Sequence, residues 1–182
     1  IHAGLVNSLT QTALKMLAPG VPDIYQGSEA LNFSLVDPDN RRLPDFAGLE
    51  RLLMRDGKEA ESRANGQLKP QMIARLAGLR QQKPALFQQG DYLPLTTTGP
   101  HAGNVIAFAR SHQDEAVIVA APRLVFGLNA ENFPQAELIL PAPLTGRRYH
   151  DLFSGQTFTL TDRLDLSQWP GLSPVILLHK RV

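Results

Sequence analysis

At Pro84 the 182-residue chain changes its repeat, and that change limits what it can fold into. Beyond it lie short runs rich in Val, Ile, Leu, Phe and Thr: Tyr92 to Thr97, Val105 to Arg110, Ala116 to Ala121, Ala136 to Leu140, Arg148 to Leu152, Thr157 to Leu160 and Val175 to His179. Gly, Pro, Asn and Asp separate them, and short strands with turn chemistry between them predict an antiparallel β-sandwich. Before Pro84 the apolar spacing is helical. Leu9, Ala13, Met16 and Leu17 predict an amphipathic helix over Asn7 to Leu17, with Asn7 or Ser8 accepting from the free N–H groups of its first turn. Phe46 to Met54 and Gln71 to Leu79 predict two more.

Between the first and second helices, Pro19 and Gly20 break the helical repeat. Val21 to Tyr25 then reads as a short strand, with Pro22 at its first position, where no ladder donor is lost. Ser28 to Asp45 has no periodicity and is dense in Asn, Asp, Pro and Arg, the composition of a long loop. Structureless loops longer than about 12 to 15 residues are usually functional or disordered. Arg55 to Gly66, polar and of mixed charge, reads as a surface linker or helix extension.

Helix, strand, long loop, helices and then an all-β module is the order expected at the end of a (β/α)8 barrel, whose active site is built from the loops after its strands. The expected fold is α/β plus all-β: residues 1–88 the C-terminal end of a TIM barrel, its last strand and helices, and residues 89–182 an antiparallel β-sandwich domain. A lone helix and strand cannot close a sheet, and Ile1 stands where a full chain would carry Met. The sequence thus reads as a fragment of a longer chain.

Lys plus Arg number 18 against 17 Asp plus Glu, with no basic block long enough to follow a phosphate backbone, so nucleic acid is not the expected partner. No apolar run reaches the roughly 18 residues needed to cross a bilayer, so no membrane association is expected. The absence of cysteine removes thiolate chemistry and sulfur-ligated zinc and suits a reducing cytoplasm, the expected location. Histidines 2, 101, 112, 150 and 179 never take metal-ligand spacing, and no metal or organic cofactor is implied.

The run Pro19-Gly20-Val21-Pro22-Asp23-Ile24-Tyr25-Gln26-Gly27-Ser28-Glu29 resembles the eighth barrel strand of the α-amylase superfamily, where Gly-x-Pro-x-x-Tyr-x-Gly-x-Glu recurs. Ser34 to Arg42 (Ser-Leu-Val-Asp-Pro-Asp-Asn-Arg-Arg), with Asn7 to Thr12 before it, narrows the resemblance to the maltooligosyl trehalose synthases. Leu79 to Phe87 and Gly90 to Leu95 resemble the last barrel helix leading into the superfamily's C-terminal sandwich. The resemblance implies an intramolecular transglycosylase of trehalose biosynthesis, an isomerase that turns the reducing-end α-1,4 linkage of a maltooligosaccharide into α-1,1. Retaining chemistry of this kind uses two carboxyl groups about 5 to 5.5 Å apart. In the superfamily these and a third carboxylate come from strands four, five and seven, all upstream of Ile1. No catalytic residue is therefore assigned here, and the isolated fragment is expected to be inactive. Its implied partners are a maltooligosaccharide, met through the intact parent, and the missing N-terminal barrel portion of the same chain.

Candidate substrate-binding residues follow the strand and the loop. Tyr25 and Gln26 stand at the end of the expected strand, where an aromatic ring packs on a sugar face and an amide bonds its hydroxyls. Glu29, Asp37, Asp39, Asn40, Arg41 and Arg42 complete the set; either arginine offers a planar fork for the terminal glucose or for a wall around it. A structural ion pair among Asp37, Asp39 and the arginines stays open as the other reading. Trp169 reads as a packing anchor of the sandwich, and His150 and His179 as strand residues. Two rival functions stay open: a non-catalytic carbohydrate-binding β-sandwich module, and part of an α-amylase-type hydrolase.

Overall fold

The computed structural model describes residues 2–32, 36, 41–54, 68–128, 133–169 and 173–179. Helices α1 (His2–Leu17), α2 (Phe46–Met54), α3 (Leu68–Gln82) and α4 (Pro84–Gln88) precede every strand. The strands are β1 (Asp91–Pro94), β2 (Thr96–Thr98), β3 (Val105–His112), β4 (Glu115–Pro122), β5 (Glu137–Ile139), β6 (Arg148–Asp151), β7 (Thr157–Thr159), β8 (Arg163–Asp165) and β9 (Val175–His179). They form a six-stranded sheet in the order β1-β3-β4-β9-β6-β7 and a three-stranded sheet in the order β2-β5-β8, with every pairing antiparallel.

The central strands of the large sheet, β3, β4 and β9, are largely buried on both faces, and the period of two along them sorts residues between two cores. Val105, Ala107 and Ala109 of β3, Ala116, Ile118 and Ala120 of β4, Tyr149 of β6, and Val175 and Leu177 of β9 face the small sheet, where they meet Leu138 and Leu164. Phe108, Val117, Val119, Ile176 and Leu178 face the other way, against Leu9, Ala13 and Leu17 of α1, Met72, Leu76 and Leu79 of α3, and Leu86 and Phe87 of α4. Two-sided burial explains why β4 and β9 are continuous apolar runs instead of alternating ones. The helices form a third layer. Thr10 Oγ1 donates to Pro122 O at 2.8 Å, and Val6 reaches the core between the sheets.

Arg110 joins the helical layer to the large sheet. It lies on the helix-facing side of β3, only 2% exposed, and its guanidinium donates to Leu17 O at the end of α1, to Leu86 O and Phe87 O of α4, and to Gly90 O and Asp91 O beyond it, at 2.8 to 3.4 Å. Carbonyls at a helix C-terminus have no partner within the helix, and a fork of N–H donors supplies one. Burial pulls the Arg110 pKa down, Arg80 adds to that, and Asp91 opposes it. Gly90 permits this close turn, since a Cβ there would lie 2.2 Å from Leu86 O and 3.0 Å from Ser111 O.

Several expectations are corrected by the structure. Helix α1 starts at His2, so Asn7 and Ser8 lie inside it and cap nothing; Val6, buried between the sheets, holds the earlier turn in place. The strand expected over Val21 to Tyr25 has no ladder: none of the described strands lies beside it, and Val21 is 95% exposed. The run expected over Tyr92 to Thr97 divides at Leu95, sending β1 to one sheet and β2 to the other. The helix that the resemblance places over Leu79 to Phe87 divides at Lys83 into the end of α3 and a separate α4, and strand β8 has no counterpart among the expected runs. The segment 55–66 lies outside the described residues.

Two outcomes follow for stability. Replacing Arg110 with Met strands the buried carbonyls of Leu17, Leu86 and Phe87 and the partly buried ones of Gly90 and Asp91, and is expected to cost about 3 to 5 kcal/mol in urea unfolding, with Arg110→Lys recovering part of it; a loss below about 1 kcal/mol would contradict the role given to this side chain. Tyr149, fully buried, donates to Leu144 O at 3.1 Å, and burial pushes its pKa from 10.0 up to about 12. The folded state holds this proton more tightly, so its contribution is complete below pH 10 and is lost as the pH rises through about 12. The fall in stability across that window should be shallower in Tyr149→Phe than in the wild type, as read by urea midpoints; equal slopes would contradict the burial argument.

Candidate functional site

The Gly20–Ala30 segment lacks a ladder, so its carbonyls need other donors, and basic side chains of the helical layer provide them. Arg80 on α3 donates to Met16 O at 2.9 Å and Gly20 O at 3.1 Å while its guanidinium lies over the Phe87 ring at 4.9 Å. Lys15 on α1 donates to Asp23 O at 2.8 Å. Lys69, in the first turn of α3, donates to Ser28 O at 2.6 Å and Ala30 O at 3.2 Å. Burial lowers the Lys69 pKa, the Lys15 ammonium lowers it further, and the Glu29 carboxylate acts in the opposite direction. Burial also lowers that of Arg80.

At the end of this segment the chain reverses in a tight turn. Ser28 N and Ser28 Oγ both donate to Tyr25 O, at 3.0 and 2.6 Å, and Gly27 takes φ +83° at the third position. A positive φ there is the requirement of a type II turn, which glycine meets without strain. A Cβ on Gly27 would stand 3.3 Å from the Pro44 ring, so the turn and the Pro44 segment are in close approach.

Between them lies a hollow of about 650 Å³, lined by Gly27 and Ala30 on one wall and by Pro44, Asp45, Leu49 and Leu52 on the other. The second wall is α2 and its entry. Asp45 Oδ1 accepts from Gly48 N at 2.9 Å, an N-cap, and Asp45 O accepts from Leu49 N at 3.0 Å. Gly48 leaves room for the cap, as a Cβ there would sit 2.3 Å from Asp45 Oδ2. Arg51 reaches back to Asp45 Oδ2 at 3.7 Å across the solvent-exposed rim. The hollow is therefore apolar at its floor and polar at its edge, a division suited to a ligand with both apolar faces and hydroxyls.

The structure brings together part of the expected set. Tyr25 and Gln26 are exposed and immediately precede the first wall; Glu29 is half-buried within it, and its Oε2 is buried without a hydrogen-bond partner. Arg41 and Arg42 are exposed, each engaged with a neighbour, on the chain leading into the second wall. Asp37, Asp39 and Asn40 lie outside the described residues. Sequence reasoning missed Lys69, Lys15 and Arg80, for a basic residue gripping a carbonyl leaves no local mark. It also missed the cap at Asp45, which was legible as an Asp directly before a helical repeat. Trp169 packs on Phe158, with ring centroids 4.6 Å apart, and borders the core between the sheets; His179 Nδ1 lies 2.7 Å from Arg148 O. Among the described residues no three His, Asp or Glu side chains gather as a metal site, and no helix is long and apolar enough to cross a membrane.

No family model matches the chain. Two curated relatives, both named putative maltooligosyl trehalose synthase, from Mycobacterium tuberculosis strains CDC 1551 / Oshkosh and ATCC 25618 / H37Rv, are 36% identical over 135 residues. The matched stretch is 74% of this chain and 16% of each relative, so the chain spans a small part of their length. Among solved structures, maltooligosyltrehalose synthase from Arthrobacter ramosus superposes with a TM-score of 0.76 at 29% identity, over 97% of this chain and 22% of that one. A hypothetical maltooligosyl trehalose synthase from Sulfolobus tokodaii gives 0.68 at 27% identity, over 96% and 20%. An Anoxybacillus α-amylase gives 0.62 at 22% identity, over 96% and 32%, a likeness of fold alone.

Because α2 has no buried residue, its cap carries an unusual share of its stability. Asp45→Ala is expected to destabilise the helix by about 1 kcal/mol and to speed amide exchange at Gly48 and Leu49 about fivefold, leaving β3 and β4 unchanged. Unaltered exchange at those two amides would show that the wall is held by something else.

Proposed function

Because the chain belongs to the maltooligosyl trehalose synthase family, we propose that it forms the C-terminal part of an intramolecular transglycosylase, an isomerase that converts the reducing-end α-1,4 linkage of a maltooligosaccharide to α-1,1. Residues 1–88 complete a (β/α)8 barrel and residues 89–182 are its C-terminal β-sandwich. The observation that carries this reading is the hollow between the Gly27 turn and α2, with exposed Tyr25 and Gln26 directly before its first wall in the chain and exposed Arg41 and Arg42 shortly before its second. Exposed Val21 supports the same reading: an extended apolar run without a ladder is what a barrel strand becomes when its neighbours are on another part of the chain.

In this scheme the reacting carboxylates belong to the upstream barrel, and the present residues bind and enclose. The apolar wall at Leu49, Leu52 and Pro44 is assigned to pack against a sugar face, and Tyr25, Gln26, Glu29, Asp37, Asp39, Asn40, Arg41 and Arg42 are assigned to bond hydroxyls. Enclosure matters to the outcome, because the cleaved glucose has to stay and turn before water replaces it at the glycosyl centre. Arg41 and Arg42 are assigned to that wall.

A free-standing binding module is less well supported. In such a module the helices would be a docking arm, whereas α1, α3 and α4 share a buried core with the large sheet, and Arg110 binds α1 and α4 to it. An α-amylase-type hydrolase has the same fold, and only products separate it from a synthase.

The intact parent enzyme acting on maltopentaose should yield chiefly a non-reducing product of unchanged length, with little free glucose; abundant glucose would favour hydrolysis. Arg41→Ala or Arg42→Ala should raise the share of hydrolysis about tenfold if that arginine walls the pocket. An unchanged product ratio in both would leave the arginines with a structural role only. The 182-residue chain alone is expected to turn over no maltopentaose.

A further inference from the structure

Helix α2 and its entry line one side of the hollow with two kinds of side chain. Leu49 and Leu52, half-buried, make the wall apolar, while Asp45 and Arg51, both exposed, line the same hollow at its edge. The two oxygens of the Asp45 carboxylate are divided in use: Oδ1 accepts from Gly48 N at 2.9 Å and closes the first turn of the helix, and Oδ2 stands 3.7 Å from Arg51 Nη2. The Arg51 and Asp45 side chains are 73% and 75% exposed, and an ion pair so open to solvent adds little to stability. Support of the helix therefore does not account for it. Its separation is also longer than a hydrogen bond, so the pair occupies none of the five guanidinium donors. What the contact does is restrict where a long, flexible cation can go, because the carboxylate that attracts it is itself fixed by the cap.

A glucosyl ring has an apolar face and a circumference of hydroxyls, and this wall offers a surface for the first and donors for the second. We propose that Arg51 is a substrate-binding residue: its guanidinium fork donates to two neighbouring hydroxyls of a glucosyl unit whose apolar face rests on Leu49 and Leu52, and Asp45 is the positioning residue that keeps the fork at the mouth of the hollow. The inference rests on the reading that this hollow is part of a maltooligosaccharide pocket, and adds to it a donor carried by α2 itself. Arginine suits the task because two of its N–H groups point the same way in one plane, matching a pair of hydroxyls on adjacent carbons as a lysine ammonium does not. Gly48 keeps the arrangement possible, since a Cβ there would fall 2.3 Å from the Asp45 oxygen that faces Arg51.

The test uses the intact parent enzyme and maltopentaose, with Arg51→Met, Arg51→Lys, Asp45→Asn and the double variant Asp45→Asn/Arg51→Met. Asparagine caps a helix about as well as aspartate but carries no charge, so Asp45→Asn releases Arg51 and leaves the first turn of α2 closed. Arg51→Met should raise KM about tenfold with kcat within about twofold, because a contact away from the reacting carbons is made equally before and during the reaction. Arg51→Lys, which keeps the charge without the planar fork, should stay at least about threefold above the wild type. Asp45→Asn should raise KM about threefold, and the double variant should bind no worse than Arg51→Met alone, because Asp45 acts only through the guanidinium. Amide exchange at Gly48 and Leu49 should be unchanged in Arg51→Met and in Asp45→Asn. An unchanged KM in Arg51→Met, a wild-type KM in Arg51→Lys, multiplying effects in the double variant, or a KM rise that comes with faster exchange at those two amides would each overturn the proposal. The functional reading fails separately, if the wild type forms no α-1,1-linked product; the Kd of maltopentaose, compared by calorimetry between the wild type and Arg51→Met, tests the contact whatever the product.

Discussion

The structure depends on how carbonyl groups are satisfied where helices stop and no strand takes over. α1 and α4 both end against the large sheet, and the carbonyls exposed there would be buried without partners but for Arg110. One guanidinium, planar and always charged, resolves the ends of two helices and the entry to β1 together. The same logic extends outward along the chain through Arg80, Lys15 and Lys69, each gripping main-chain oxygens of the segment that follows α1. A charge placed in this way would be costly if isolated. Distributed over several carbonyl dipoles, it becomes the means by which an irregular segment acquires a fixed course.

That fixed course gives the candidate site its shape. The Gly27 turn and α2 are apart in sequence, yet they face one another across a hollow, and Gly27 and Pro44 are in close approach beside it. Neither wall has a deep core of its own: α2 buries no residue completely, and the Gly20–Ala30 segment has no ladder. Precision in such a place comes from polar anchoring, with Asp45 capping one wall and Lys69 holding the other. Packing supplies the rigid base one layer below, where α1 and α3 meet the sheet.

Much of the fold was legible because burial leaves a periodic trace. β3, β4 and β9 are largely apolar on both faces and so announce themselves as runs; α3 buries Met72, Leu76 and Leu79 at helical spacing. What escaped detection lacked that trace. β8 is three residues with Leu164 its one buried side chain, and α4 is a single turn and a half, too short for a repeat to register. The start of α1 was misjudged because local capping preference at Asn7 and Ser8 was outweighed by a contact distant in sequence, Val6 in the core between the sheets. Val21 to Tyr25 has the composition of a strand, but strand formation is a property of a pair, and no partner lies beside it among the described residues. Of the site, Tyr25, Gln26 and Glu29 could be named from the motif that Gly27 completes, whereas Lys69 could not, since its role is defined entirely by where α3 comes to rest.

The two faces of the large sheet differ in grain. Toward the small sheet β3 and β4 present Ala107, Ala109, Ala116 and Ala120 beside Val105 and Ile118; toward the helices they present Phe108, Val117 and Val119. Sliding β3 or β4 by one residue would turn bulkier groups toward the small sheet and leave alanines beneath the helices, crowding one side and hollowing the other. The chain thus carries in its side-chain volumes an instruction about which surface of the sheet is to receive the helical layer. Left and right are told apart by size before any polar contact has formed.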